Sequence, residues 1–439
     1  MAAEAQLLAP QRSYPQLRPR RKGPSPEKVA RHQRARLYAA MLDSVAERGY
    51  AATTVSELRA RAGVSKRTIY DQFSSKEAFF LTTYDQVVLH TIRRVDNAYR
   101  SEQDWFSSLG RAFEAFVAEV LSRPQAARLA LIEARAAGPA ALAATERTNR
   151  TFERMLAASL QQAPDGVVLP RAVITGVVGG IARVMRRRLL DNRVQEALAE
   201  ELLDWAITYR SAAALQLRVD HAGREPSSLD TSKQAEGQDA ECQRILRATT
   251  RLVAAYGYGE LTVARILQDA RVGDECFFDR FTNSEQCFKR ALDGGISQAN
   301  VGVSNALTES DWTIAVQRAM HALLAHLECH PDLAQSAFVE VLKAGSDCVE
   351  YSEALLEGSL GLIEKRMPHS RRSSEQVRQA ITGAVWELIH QYVAHGSTAR
   401  LTEIGEYLCY LVLAPAIGPQ RALVSITAAR PQVDLRANG

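Results

Sequence analysis

"GVSKRTIYDQFSSKEAFF" occupies residues 63–80, and 208 positions later, at residues 271–288, the chain writes "RVGDECFFDRFTNSEQCF". The aromatic positions coincide, Tyr70 with Phe278, Phe73 with Phe281 and Phe80 with Phe288. The charges do not, because Ser65-Lys66-Arg67-Thr68 is answered by Gly273-Asp274-Glu275-Cys276. The apolar half of the segment is written twice and the basic half once.

Around the first copy the sequence predicts short helices. Leu37, Met41 and Val45 recur every four residues, giving one helix an apolar stripe. Gly49 stands where a left-handed cap ends that helix. Thr54-Val55-Ser56-Glu57 reads as a capping box, Ser65 as the cap of a following short helix, and Ser74-Ser75-Lys76-Glu77 as a second box. Val55, Leu58 and Ala62 face inward from one short helix, Ile69 and Phe73 from the next. Two short helices joined through Gly63 make a helix-turn-helix.

In such a motif the second helix enters the major groove and its N-terminal residues meet base edges. Lys66, Arg67 and Thr68 lie at that end. A lysine or arginine donates to guanine O6 and N7, and a threonine offers a hydroxyl and a methyl. Tyr70, one turn on, is placed to donate to a phosphate, and Thr54, Ser65 and Lys76 stand at helix starts, which favour phosphate oxygens. Ahead of the domain runs a proline-broken arm. Residues 1–36 carry nine Lys and Arg against Glu4 and Glu27, a net +7 that leaves −3 for the rest of the chain. Arg20, Arg21 and Lys22 are its densest cluster and are expected to touch nucleic acid.

"GYAATTVSELRARAGVSKRTIYDQFSSKEAFF", residues 49–80, resembles the DNA-binding domain of the tetracycline-repressor (TetR) family of bacterial transcriptional regulators. The resemblance runs from about Arg31 to Thr91. It implies an all-α chain that binds a double-stranded operator, most often as a repressor. It also implies that the helices after Val87 form a larger domain that binds a small-molecule effector and dimerises. No residue there identifies the effector.

The pattern then restarts. Ile245 matches Leu37, Val253 matches Val45, Gly257-Tyr258 matches Gly49-Tyr50, Thr262-Val263 matches Thr54-Val55, and Ile266 matches Leu58. "AVITGVV" from Ala172 answers "AITGAV" from Ala380 with a shift of one. A tandem duplication accounts for this, giving two fused TetR-like units. The expected boundaries are a basic arm (1–30), a first helix-turn-helix domain (31–91) and a helical regulatory domain (92–216). A linker (217–239), a second helix-turn-helix domain (240–298), a second regulatory domain (299–425) and a tail (426–439) follow. The second head is expected to fold without reading DNA, since Asp274 and Glu275 would face phosphates with like charge. The helices around 175–190 and 382–395 are expected to pair within one chain as a pseudo-dimer, with two chains loading on a palindromic operator.

Other classes fit poorly. The sequence has no phosphate-binding GxxxxGK[ST] loop, no HExxH and no GxSxG, so no catalytic residue, metal ligand or cofactor is assigned. Glu133 and Glu340 lie in helical windows, and ordinary solvation is expected for both. The six cysteines all fall in the second half without a CxxC pair, and His326, Cys329 and His330 supply three of the four ligands that a closed zinc site needs. No apolar run reaches membrane-spanning length, so a cytoplasmic protein is expected, with no membrane partner. The alternative to a regulator is a ligand-sensing or protein-interaction scaffold without its own operator.

Overall fold

The computed structural model describes residues 26–191, 197–211, 217 and 238–436. Every regular element among them is helical, and none of these helices is long and apolar enough to cross a membrane. Packing divides the chain into two units, residues 1–151 with 185–203, and residues 152–184 with 204–439. This division does not follow the expected boundary at the 217–239 linker, because residues 152–184 pack with the second half of the sequence.

The first unit opens with α1 (Pro26–Ala52), α2 (Val55–Ala62), α3 (Lys66–Tyr70) and α4 (Lys76–Tyr99). Leu37, Met41 and Val45 of α1 meet Leu58, Ile69, Phe79 and Phe80 in one core, all at 2% exposure or less. Each large side chain so buried contributes on the order of 2–3 kcal/mol, which is what lets helices of eight and five residues persist. Phe73 stacks on Phe79 with centroids 4.2 Å apart. After α5 (Trp105–Ser122), Pro124 starts α6 (Pro124–Arg128), and a single π-helical turn, Leu129–Glu133, follows before α7 (Pro139–Gln161).

Caps settle the local boundaries. Thr54 accepts from Glu57 N and Ser65 from Thr68 N, as read from the sequence. The cap of α4 is Ser75, accepting from Ala78 N, one residue later than the second box implied. The reciprocal half of the first box is missing too: among the described residues the Glu57 carboxylate accepts no hydrogen bond, and it lies near Arg48 and Arg61 instead. Gly49 takes φ 76° and ψ 164°, so it breaks α1 with positive φ but extended ψ rather than the left-handed helical cap expected.

The second unit repeats this arrangement. Its head comprises α10 (Gln238–Tyr256), α11 (Val263–Ala270) and α12 (Asp274–Phe278), and α11 and α12 match α2 and α3 in length. Ile245, Val253, Ile266, Phe277, Phe281 and Phe288 are all buried. Helices α13 (Ser284–Ala306), α14 (Trp312–Cys329), α15 (Pro331–Phe338), α16 (Ser346–Arg366), α17 (Glu375–Ala394), α18 (Gly405–Ile417) and α19 (Pro419–Arg436) follow. Residues 426–436, expected as tail, continue α19. Near the end of α14, the His326 and His330 rings stack at 4.2 Å, and burial with the neighbouring His330 pushes His326 down to about 4. His326 is therefore neutral at pH 7, not the cation that would complement a helix C-terminus.

The same unit contains α8 (Arg171–Asp191) as far as Val184, and α9 (Leu198–Ile207) from Asp204. Here α8 crosses α17 at backbone contact. A Cβ on Gly180 would lie 2.4 Å from Ala380 O, one on Gly179 2.4 Å from Glu387 Cβ, and one on Gly383 2.6 Å from Arg183 Cβ. Tyr209 and Tyr410 extend the seam, each donating its hydroxyl to a buried carbonyl, Leu411 O and Tyr209 O respectively, at 2.9 Å. Arg183, 1% exposed, reaches Glu353 at 3.4 Å and Glu357 at 2.7 Å.

One residue of the second head is strained. Arg271 adopts φ 55°, ψ 52°, the left-handed conformation that Gly63 supplies in the first head. A non-glycine residue there costs roughly 1–2 kcal/mol, partly offset by its lower unfolded-state entropy. Arg271→Gly is therefore expected to stabilise this unit by about 1 kcal/mol and raise its melting midpoint by roughly 2–4 °C. An unchanged or lower midpoint would show that Arg271 carries no strain.

Candidate nucleic-acid interface

The turn Gly63-Val64-Ser65 sets the angle between α2 and α3. Gly63 takes φ 58°, ψ 43°, and its carbonyl accepts from Arg36 Nη2 at 2.9 Å, tying the turn to α1. Ile69, 2% exposed, anchors α3, leaving Lys66, Arg67 and Tyr70 outward. The Arg67 side chain is 91% exposed, with Asp71 as its neighbour at 3.8 Å. Lys66 Nζ lies 5.8 Å from the centre of the Tyr70 ring, and Tyr70 is itself 50% exposed. The Ser65 and Thr68 hydroxyls hydrogen-bond each other at 2.8 Å, so each is partly engaged by the cap. Thr54 is exposed at the start of α2. Arg20, Arg21 and Lys22 lie outside the described residues.

Lys76 differs from the others. Its ammonium donates to Tyr50 O and Thr53 O, both at 3.1 Å, and lies 4.3 Å over the Tyr50 ring. Burial lowers its pKa. Lys76 thus bolts α4 to the end of α1, and its charge faces carbonyls of the domain.

Glu133 completes that junction, contrary to the solvation expected of it. It is 8% exposed, and its Oε2 accepts from Tyr50 N at 2.9 Å, with Arg128 Nε 3.6 Å from the other oxygen. The backbone that Gly49 turns out of α1 is therefore capped by a carboxylate from the π-helical turn. In the second unit Glu340, 5% exposed, accepts from Tyr258 N at 3.2 Å beside Gly257, and Lys343 pairs with it at 2.7 Å. The signal available in the sequence was positional. Both carboxylates stand in apolar windows, the same distance after a Gly-Tyr pair to within one residue.

The second head presents another surface. Gly273 supplies no side-chain cap to α12, whose first turn carries Asp274 and Glu275. Phe278, 58% exposed, stands in place of Tyr70. Arg280 is turned onto Cys276, donating to its carbonyl at 2.7 Å.

Residues 37–83, the stretch that builds the first head, match the model of the bacterial regulatory proteins of the tetR family. The first head is thus similar to the DNA-binding domain of that family. Over 84 residues it is 36% identical to the HTH-type transcriptional activator FasR of Mycolicibacterium smegmatis, a match covering 19% of this chain and 38% of that protein. Among solved structures, the transcriptional regulator FadR from Bacillus subtilis in complex with stearoyl-CoA is 17% identical. That match covers 39% of this chain and 96% of the other, with TM-score 0.36. The fatty acid degradation regulator FadR from Bacillus halodurans is 16% identical over 43% and 97% of the two chains, with TM-score 0.37.

The Glu133 contact gives the TetR-type head a testable dependence. Glu133→Ala leaves the Tyr50 N–H unpaired and should destabilise the head by about 1–3 kcal/mol. Amides of α2 and α3 should then exchange hydrogen faster, whereas Glu340→Ala should leave them unchanged. Unaltered protection of α2 and α3 in Glu133→Ala would show that the carboxylate does not support the head.

Proposed function

We propose that this chain is a sequence-specific transcriptional regulator that reads double-stranded DNA through α3 of the first head alone. The observation that carries this reading is the exposed, basic N-terminal end of α3. Lys66 and Arg67 stand where base edges and phosphates are met, on a helix fixed from behind by Ile69. The corresponding turn of α12 offers Asp274 and Glu275, which release no counterions and repel phosphate. The second head keeps its core and has no DNA to read. Repression and activation would use the same α3 contact, and the outcome would depend on where the operator lies relative to the promoter.

In this account the two heads descend from a tandem duplication, supported by matched helix lengths, matched caps at Thr54 and Thr262, and the paired Glu133 and Glu340 contacts. Pairing of α8 with α17 inside one chain takes the place of a TetR-type homodimer. A palindromic operator then requires two chains. The helices beyond the heads are the place for a small-molecule effector that shifts the reading geometry.

The test begins with an operator selected from genomic fragments by the purified protein. Arg67→Ala should weaken binding to it by about 1–3 kcal/mol, the worth of a bidentate base contact. Asp274→Ala combined with Glu275→Ala should leave affinity within error of wild type. Equal affinity of wild type and Arg67→Ala would remove α3 as the reading element. A large effect of the double substitution would bring the second head onto the duplex.

A further inference from the structure

A cleft of about 360 Å³ opens in the second unit between α16, the turn that follows it, and α17. Its floor is apolar: Leu360, Ile363, Met367 and Ile381 are each less than a tenth exposed, and Val412 of α18 closes the far side. Gly361 lines the cleft from the interior of α16, and a Cβ added there would meet no atom within 4 Å. A glycine inside a helix weakens it relative to alanine, and here its missing side chain is what keeps the cleft open. The volume lies at the small end of natural ligand sites and suits a body of roughly ten to fifteen non-hydrogen atoms.

The polar groups of the wall narrow the chemistry. Glu364 Oε2 lies 3.6 Å from Arg378 Nη1, but its Oε1 is buried and accepts no hydrogen bond among the described residues. A buried acceptor left without a donor is penalised, and a ligand that supplies one gains most there. The remaining charges are of both signs, since Lys365 and Arg372 also line the cleft, Arg372 donating to Lys365 O at 3.1 Å. Arg378 also pairs with Glu375, and Glu357 on the same wall accepts from the buried Arg183 of α8 at 2.7 Å. A ligand with net charge of either sign would meet a like charge at short range.

We propose that this cleft binds an uncharged, largely apolar small molecule carrying one O–H or N–H donor, which bonds to Glu364 Oε1. The apolar body lies over Ile363, Met367 and Ile381. Because Glu357 borders the same cleft, an occupant also shields the Arg183–Glu357 pair from water and so bears on the seam between α8 and the second half. The binding site stands independently of the DNA-reading role and is tested without DNA.

The test uses the full chain with 13C-methyl methionine, the Met367 resonance being assigned by Met367→Leu. The probes are 1-naphthol and its donor-free ether 1-methoxynaphthalene, with 1-naphthoate and 1-naphthylmethylammonium as charged counterparts. Saturable shifting of the Met367 signal by 1-naphthol is expected, at an affinity at least tenfold tighter than for the ether or either ion. Glu364→Leu should bring 1-naphthol to the level of the ether, Glu364→Gln should retain most of the preference, and Gly361→Leu should abolish binding by filling the cleft. Absence of a saturable Met367 shift in the wild-type chain would overturn the proposal. So would equal binding of alcohol and ether, or tighter binding of a charged probe.

Discussion

The second unit depends on one constraint, the absence of side chains where α8 crosses α17. At Gly179, Gly180 and Gly383 even a methyl group would fall within 2.4–2.6 Å of the facing helix. Real Cβ atoms do not approach so closely, so the crossing exists only because these positions are glycine. Backbone contact lets the adjoining residues bury fully. Trp386 is 1% exposed, Tyr410 donates its hydroxyl to Tyr209 O and Tyr209 its own to Leu411 O, and Arg183 is buried beside Glu353, with the more exposed Glu357 as its second partner. A buried ion pair contributes little net stability, but losing one partner strands the other charge and is costly. The Arg183 contacts therefore act chiefly to fix the register in which the glycines meet.

The two heads show how a core and a surface can part company. Phe277 and Phe281 are as buried in the second head as Ile69 and Phe73 are in the first, since packing constrains apolar volume regardless of what the outer face contacts. The outer face carries no such constraint. There Lys66 and Arg67 give way to Asp274 and Glu275, the Ser65 cap to Gly273, and the left-handed glycine to Arg271. In our reading the second head is kept as a folded part of the unit and has been released from the demands of the phosphate backbone.

Much of this was legible in the sequence because it rests on local rules. The caps at Thr54 and Ser65 and the buried stripe of α1 follow from periodicity and capping. What was not legible depends on distant partners. Glu133 caps Tyr50 from 83 residues away, and no local pattern distinguishes it from a solvated helical carboxylate. Lys76 looks like a phosphate ligand until the carbonyls of Tyr50 and Thr53 are placed beside it.

In our reading the glycine crossing of α8 and α17 is made within one chain and takes the place of a dimer interface between chains. Sedimentation velocity of the fluorescently labelled 439-residue chain at nanomolar concentration separates the two arrangements. A single species of one-chain mass is expected in the absence of DNA, because covalent connection gives α17 a high effective concentration near α8. A two-chain species that persists on dilution would contradict it, since the seam would then be formed between chains.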